Sequence, residues 1–547
     1  MKRIKSYLIY TLLLATFLGL MNSCNPSNEG ENTASDSIYT EDTPMVESEK
    51  SAEEAPLSEF KEESDEILPN EPYSPSPNTE EYEQIFENPY KLATQEPLST
   101  FSIDVDNASY SNVRQFINNS QLPPAGAVRI EEMINYFNYD YPQPKDGHPF
   151  SINTEIASCP WNAKHKLVHI GLQGKNLNYR DIKPCNLVFL VDASGSMDEP
   201  TKLPLLKKSL KLLLEKLSNQ DKIAIVAYAG AAGLVLPSTS AGKKATILAA
   251  LEELEAGGST AGGEGIELAY KIAKENLIEG GNNRVILATD GDFNVGVSDD
   301  ESLVKLIEEK RKDDIFLTIC GFGMGNYKDQ KMEMISNFGN GNYFYIDNIK
   351  EAEKVFVTEM RANLFTIAKD VKIQIEFNPI KVKAYRLIGY ENRVLKNEDF
   401  NDDTKDAGEL GAGHTVTALY EIIPAGSEEV VSNQPNLKYQ KSSTLISTGN
   451  NTDLLTIKFR YKAPQSSTSK LIEKSVSDQN LDFDNSSNNF RFSAAVAAFG
   501  LILRNSQYKG TSSFEQVLKL AKSSKGSDQE GYRAEFISLV EKCKLLQ

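Results

Sequence analysis

Histidine, cysteine and tryptophan are scarce in this chain: four, five and one among 547 residues. The histidines stand at His148, His165, His169 and His414, none with a cysteine partner at metal-ligand spacing. Zinc sites and histidine-based nucleophilic catalysis therefore have little to work with. The five cysteines fit no disulfide-dense scaffold. Cys159 and Cys185 flank one segment, which permits a disulfide in an exported chain; Cys320 reads as a buried strand thiol and Cys543 as packed in the last helix. Basic charge is short as well. Lys and Arg number 58 against 77 Asp and Glu, a net charge of −19 that phosphate backbones would repel, so no nucleic-acid partner is expected.

The apolar run Tyr7–Met21 is too short to span a bilayer comfortably. Lys2, Arg3 and Lys5 precede it and Cys24 follows, the layout of a signal peptide over residues 1–23. Ser23-Cys24 resembles a bacterial lipobox, although Met21 and Asn22 depart from its strict pattern. That resemblance implies acylation of Cys24 and a lipid anchor that holds the protein on a membrane without spanning it. The expected location is the bacterial cell envelope, with the outer membrane as the bilayer. Residues 24–94 are rich in Glu, Ser, Pro and Asn and poor in aliphatic side chains, the composition of a disordered acidic tether.

Order is expected to begin near Pro97. Helices over Val113–Asn119 and Val128–Phe137, and strands over Phe150–Ile156 and Lys166–Leu172, make 95–182 an α+β region. Asp104, Asp106 and Ser109 offer either a second cation site or, more simply, capping and turn contacts. From Asn186 the pattern alternates strand and helix, the sign of a mostly parallel sheet covered on both faces. Past Ala368 the strand-like runs Val371–Phe377, Ile380–Leu387, Thr415–Ile423 and Leu454–Tyr461 follow without helices, as in an antiparallel sandwich over 367–480. Ser466–Asn489 reads as loop, and 481–547 as a small helical C-terminal unit.

Chemistry concentrates in Asn186–Met197. Leu187–Val191 has the length and branching of a buried parallel strand, and it ends on Asp192, Ser194 and Ser196. The loop leaving the carboxyl end of such a strand is where α/β sheets bind ligands. Alternate positions let these three oxygen side chains converge, and oxygen-only donors suit Mg²⁺, Mn²⁺ or Ca²⁺. Two later stretches complete the set: the glycine-rich loop Gly257–Gly263, which carries Thr260, and a second buried strand, Val285–Thr289, which ends on Asp290.

In order and separation the three stretches resemble the metal-ion-dependent adhesion site of von Willebrand factor type A domains, over about Asn186–Leu364. The phrases Phe101-Ser-Ile-Asp-Val-Asp106, Val128-Arg-Ile-Glu-Glu-Met133 and Asp403–His414 further resemble bacterial YfbK-like lipoproteins. The resemblance implies an α/β, Rossmann-like domain of six mostly parallel strands over 183–366, and the strand-like runs on both sides of it, Phe150–Leu172 included, place that domain between the halves of the antiparallel sandwich. It implies a metal shell of Asp192, Ser194, Ser196, Thr260 and Asp290 around Mg²⁺, Mn²⁺ or Ca²⁺, completed by an Asp or Glu of a protein partner. A scaffold with a structural metal is the alternative function. A Mg²⁺-dependent phosphohydrolase is less well supported, because Ser194 stands where a second acid is needed and no lysine has a recognisable phosphate-binding context. Gly-x-Ser-x-Gly is absent, and no enzyme is expected.

Overall fold

The computed structural model describes residues 80–547, apart from 81, 178–182, 230, 258–262, 292–299, 325–327 and 432–451. Its six-stranded sheet runs, in spatial order, Tyr343–Ile346, Ile315–Phe322, Asn282–Thr289, Cys185–Asp192, Lys222–Ala229 and Ala231–Ser240. All neighbours are parallel except the last pair, where one intervening residue leaves no room for a crossover. The central strand Cys185–Asp192 is buried along its whole length because helices cover both faces. Leu187, Phe189 and Val191 pack with the Leu203–Leu214 helix; Val188 and Leu190 point the other way, toward Ile266, Ala269 and Tyr270 of the Gly263–Glu275 helix. This is the sheet expected from the sequence.

Two antiparallel sheets form the sandwich. One orders Lys91–Leu92, Val382–Ile388, Thr415–Pro424, Asn162–Gly174 and Phe150–Cys159. The other orders Gly408–Gly411, Thr366–Phe377, Asp453–Lys462 and Ser469–Ser477, with Leu98–Ser102 also on Thr366–Phe377. Phe150, Ile170 and Leu172 of the first meet Ile373, Ile375, Ile457 and Phe459 of the second in one apolar core. Strands from both sides of the α/β segment thus share sheets. The ends of the segment lie together: a Cβ on Gly174 would come within 3.2 Å of Ile367 Cδ1, and Asn282 Nδ2 donates to Leu364 O at 2.7 Å beside Cys185.

Two expectations need correction. Ser469–Ser477 is a strand, not a loop; it is a half-exposed edge whose polar outer face hides the signal. Ordered contacts begin before residue 95, since Asn88 Nδ2 donates to Gly389 O at 2.8 Å and Lys91–Leu92 pairs with Val382–Ile388. The C-terminal helices Asn488–Leu503, Phe514–Ser523 and Tyr532–Leu545 form the expected helical region, packed on the N-terminal region. Phe137, Ile130 and Trp161 of the N-terminal region join Phe492, Phe499 and Phe536 in a single core. The segment after the last parallel strand is made of Ile349–Glu353, a wide turn over Lys354–Thr358, and Met360–Leu364. The wide turn keeps Lys354 buried, paired with Glu359 and 4.6 Å above the Tyr136 ring. Cys159, Cys185, Cys320 and Cys543 are free and buried, and Cys159 and Cys185 belong to different cores.

Buried guanidiniums join the α/β sheet to the N-terminal helices. Arg114, on the Ala108–Asn118 helix, donates to Asp347 Oδ2 at 2.9 Å, Glu351 Oε2 at 2.7 Å, Glu535 Oε1 at 2.8 Å and Tyr136 Oη at 2.9 Å. Arg129 meets Glu132, Asp329 and Glu333.

Candidate metal centre

The Cys185–Asp192 and Asn282–Thr289 strands are adjacent and parallel, so both deliver an acid at the same sheet edge. Asp192 and Asp290 are fully buried. Asp192 Oδ1 accepts from Ser194 N at 2.9 Å, a turn that folds the loop back over the strand end. Asp192 Oδ2 accepts from Thr289 Oγ1 at 3.2 Å. Ser194 Oγ and Ser196 Oγ lie 3.0 Å apart, and Ser196 is open to solvent. Burial pushes the Asp192 carboxyl up; the Ser194 hydrogen bonds oppose this and the nearby Asp290 charge adds to it.

Four of the five sequence-predicted oxygens are therefore at one place: Asp192, Ser194, Ser196 and Asp290. Thr260 lies outside the described residues, as does Cys24. Gly257, the last described residue before Thr260, donates its N–H to Ala193 O at 2.8 Å. The donor set is all oxygen, two carboxylates and two neutral hydroxyls, and it fits a hard divalent cation.

One site residue has no counterpart in the sequence reading. Lys202 is 3% exposed, and its Nζ lies 3.2 Å from Asp290 Oδ2 and 3.0 Å from Ser196 O. It is the lysine between the Asp-x-Ser-x-Ser loop and the Leu203–Leu214 helix, and that position was its only signal. Tyr228 is also missed. It is buried at the end of the neighbouring strand, where burial first, then the Asp192 charge, pushes its phenol well above the usual range.

Asp104, Asp106 and Ser109 serve the fold. Asp104 Oδ1 accepts from Asp106 N at 3.0 Å, and Ser109 Oγ donates to Ala127 O at 2.7 Å. Carboxylate oxygens of Asp104, Asp106 and Glu333 lie within 4.8 Å of one another, and Arg393 sits among them, 3.1 Å from each aspartate. A guanidinium supplies the counter-charge there. Elsewhere His165 bridges Glu421 at 2.6 Å and Glu429 at 2.8 Å. Burial pulls its pKa down, but the two glutamates outweigh burial and hold it above the ordinary value.

A mostly parallel sheet of this order, with hydroxyl and carboxylate oxygens gathered at the end of its central strand, defines a von Willebrand factor type A domain protein. The family model for that domain matches residues 186–358, one described as von Willebrand factor matches 76–169, and one described as "Uncharacterized protein YfbK, C-terminal" matches 362–546. The chain is 45% identical over 474 residues to the uncharacterized protein YfbK of Escherichia coli, covering 85% of this chain and 81% of that one. It belongs to the YfbK family of von Willebrand factor type A proteins. The uncharacterized protein sll0103 of Synechocystis is 31% identical over 177 residues, 32% of this chain and 40% of its own length. Among solved structures, a von Willebrand factor type A protein from Catenulispora acidiphila covers 73% of this chain and 91% of its own at 15% identity and TM-score 0.40. Proximal thread matrix protein 1 from the mussel byssus, solved with a zinc occupied MIDAS motif, covers 32% of this chain and 44% of its own at 22% identity and TM-score 0.26.

Proposed function

We propose that this protein is a lipid-anchored cell-envelope protein that captures a protein partner through a divalent cation. Asp192, Ser194, Ser196, Thr260 and Asp290 would hold Mg²⁺, Mn²⁺ or Ca²⁺, and an Asp or Glu of the partner would complete the coordination. Metal-ion-dependent adhesion sites that mediate protein interaction are common in von Willebrand factor type A domains. The observation that carries the reading is the gathering of Asp192, Ser194, Ser196 and Asp290 at one sheet edge, with Ser196 facing solvent. Neutral hydroxyls leave the cation electrophilic, and an exposed face gives an outside carboxylate access. A closed structural metal would not need that opening, which favours capture over a scaffold role.

The anchor is Cys24, and 183–366 is the domain inserted into the sandwich formed by 95–182 and 367–480. Pull-down from solubilised envelope membranes with Mg²⁺ or with EDTA tests the function. A partner retained only with Mg²⁺, and lost with Asp192→Ala, is the expected result. Equal retention in EDTA would refute metal-dependent capture.

A further inference from the structure

Lys202 is buried, and among the described residues its ammonium meets oxygens around the candidate metal centre. It meets Asp290 Oδ2 at 3.2 Å, Ser196 O at 3.0 Å and Glu199 Oε1 at 3.2 Å. Glu199 is well exposed, so water screens much of its charge. The lysine stem has a route made for it. Gly323, just beyond the Ile315–Phe322 strand, has φ +75°, and a Cβ there would lie 2.3 Å from Lys202 Cε. A bare backbone at that point lets the chain pass and holds the ammonium at the oxygen cluster.

The placement matters for charge. Among the described residues the inner site gathers two carboxyl groups, Asp192 and Asp290, and one ammonium, so with both carboxyls serving as anionic metal ligands the three sum to one negative charge. A divalent cation would then turn it net positive by one. Without the lysine, the same cation would only reach neutrality. The lysine must therefore weaken the hold on the metal and strengthen the pull of the loaded site on an anion.

We propose that Lys202 is a specificity-determining residue of the metal centre, an internal cation that lowers metal affinity and makes the loaded site select a carboxylate. The inference rests on the metal-site reading above. It predicts opposite changes in two affinities, which a merely structural lysine would not produce.

The experiment uses the full chain, with Mn²⁺ alone and then acetate as probes. Calorimetric titration measures Mn²⁺ affinity in wild type, Lys202→Met, Lys202→Arg and Asp192→Ala. Acetate binding to the Mn²⁺-loaded proteins is followed by water-proton relaxation, which falls as metal-bound water is displaced. Lys202→Met should bind Mn²⁺ more tightly by about tenfold and acetate more weakly by about tenfold, since like charges so close are worth at least that much. Lys202→Arg, which keeps the charge, should stay nearer wild type in both. Mn²⁺ binding that Asp192→Ala weakens and Lys202→Met leaves unchanged, or acetate binding that does not fall in Lys202→Met, overturns the role of the lysine alone. No Mn²⁺ binding by wild type, or equal binding in Asp192→Ala, overturns the metal-site reading itself. If Lys202→Met gives no cooperative melt, Lys202→Gln takes its place. Failure of both to melt cooperatively makes the lysine a structural strut and refutes the proposal.

Discussion

Arg114→Met tests how the α/β sheet is held to the helices. The substitution keeps an apolar stem against Tyr110 and Tyr136, whose rings lie 5.5 and 5.6 Å from the guanidinium carbon. It removes the shared counter-charge of three carboxylates. Asp347 and Glu351 are 4% and 1% exposed, and Glu535 is 28% exposed. Breaking one buried pair by deleting a partner costs about 3–5 kcal/mol. Two of the three orphaned acids are as buried as that case requires, so a loss of at least about 3 kcal/mol is expected. The sign of its pH dependence follows from Glu351. Burial already raises its folded pKa against the pull of Arg114 and Lys354, and losing Arg114 raises it further. A group with a raised folded pKa binds extra protons in the native state, so the variant should recover stability as pH falls from neutral toward 5. The assay is urea unfolding followed by the fluorescence of Trp161, the chain's one tryptophan, which is buried in the helical core. Adding Asp347→Asn and Glu351→Gln should return part of the loss. A loss below about 1 kcal/mol, or one that does not shrink at low pH, would refute the argument.

Removing a metal-site oxygen should spare the fold. Thr260→Ala should lower Mg²⁺ affinity modestly and Asp192→Ala more, while thermal melting without metal stays within a few degrees of wild type, because a buried, raised-pKa carboxylate adds little stability when no cation is bound. His165 predicts the opposite pH sense from acid denaturation. Its folded pKa is raised, so its contribution is fully present below the unfolded value near 6.5 and is lost as pH rises through the folded one. Melting curves of wild type and His165→Gln should converge above neutrality, and a gap that widens there would contradict the assignment. Cys24→Ser should move the protein from the detergent phase to the aqueous phase in a phase-partition assay; unchanged partitioning would end the lipoprotein reading.

The α/β sheet was legible because buried parallel strands leave continuous apolar runs, and Leu187–Val191 and Val285–Ala288 both end on their acids. The convergence of the four described oxygens of the candidate site was legible for the same reason, since strand ends fix where a loop begins. Lys202 was not, because its role depends on Gly323, which is distant in sequence and near in space. The helical core was hidden likewise. Ala494, Ala495, Ala497 and Ala498 announce close packing but not the partner, and the partner is the Ile130–Asn135 helix, whose Ile130 meets Gly500. The burial of Arg114 and Arg129 depends on acids 233 and 200 residues away, Asp347 and Asp329, which the sequence does not place beside them.

The nearness of the two ends of the α/β segment bears on the order of folding. Thr415 pairs with Gln173, so the sandwich cannot close until most of the chain has been made. Until then Asn162–Gly174 presents an open hydrogen-bonding edge, the kind that recruits other chains. A folded α/β body shortens the path between Gly174 and Ile367 from roughly 190 residues to about ten. That is about four halvings, each worth ~0.6 kcal/mol of chain entropy, or roughly 2–3 kcal/mol in all. If the α/β segment folds once its own strands have emerged, it would bring Gly174 and Ile367, which lie side by side in the structure, together early. It acts as a clamp on its host, and substitutions that slow its folding should appear first as aggregation of the sandwich.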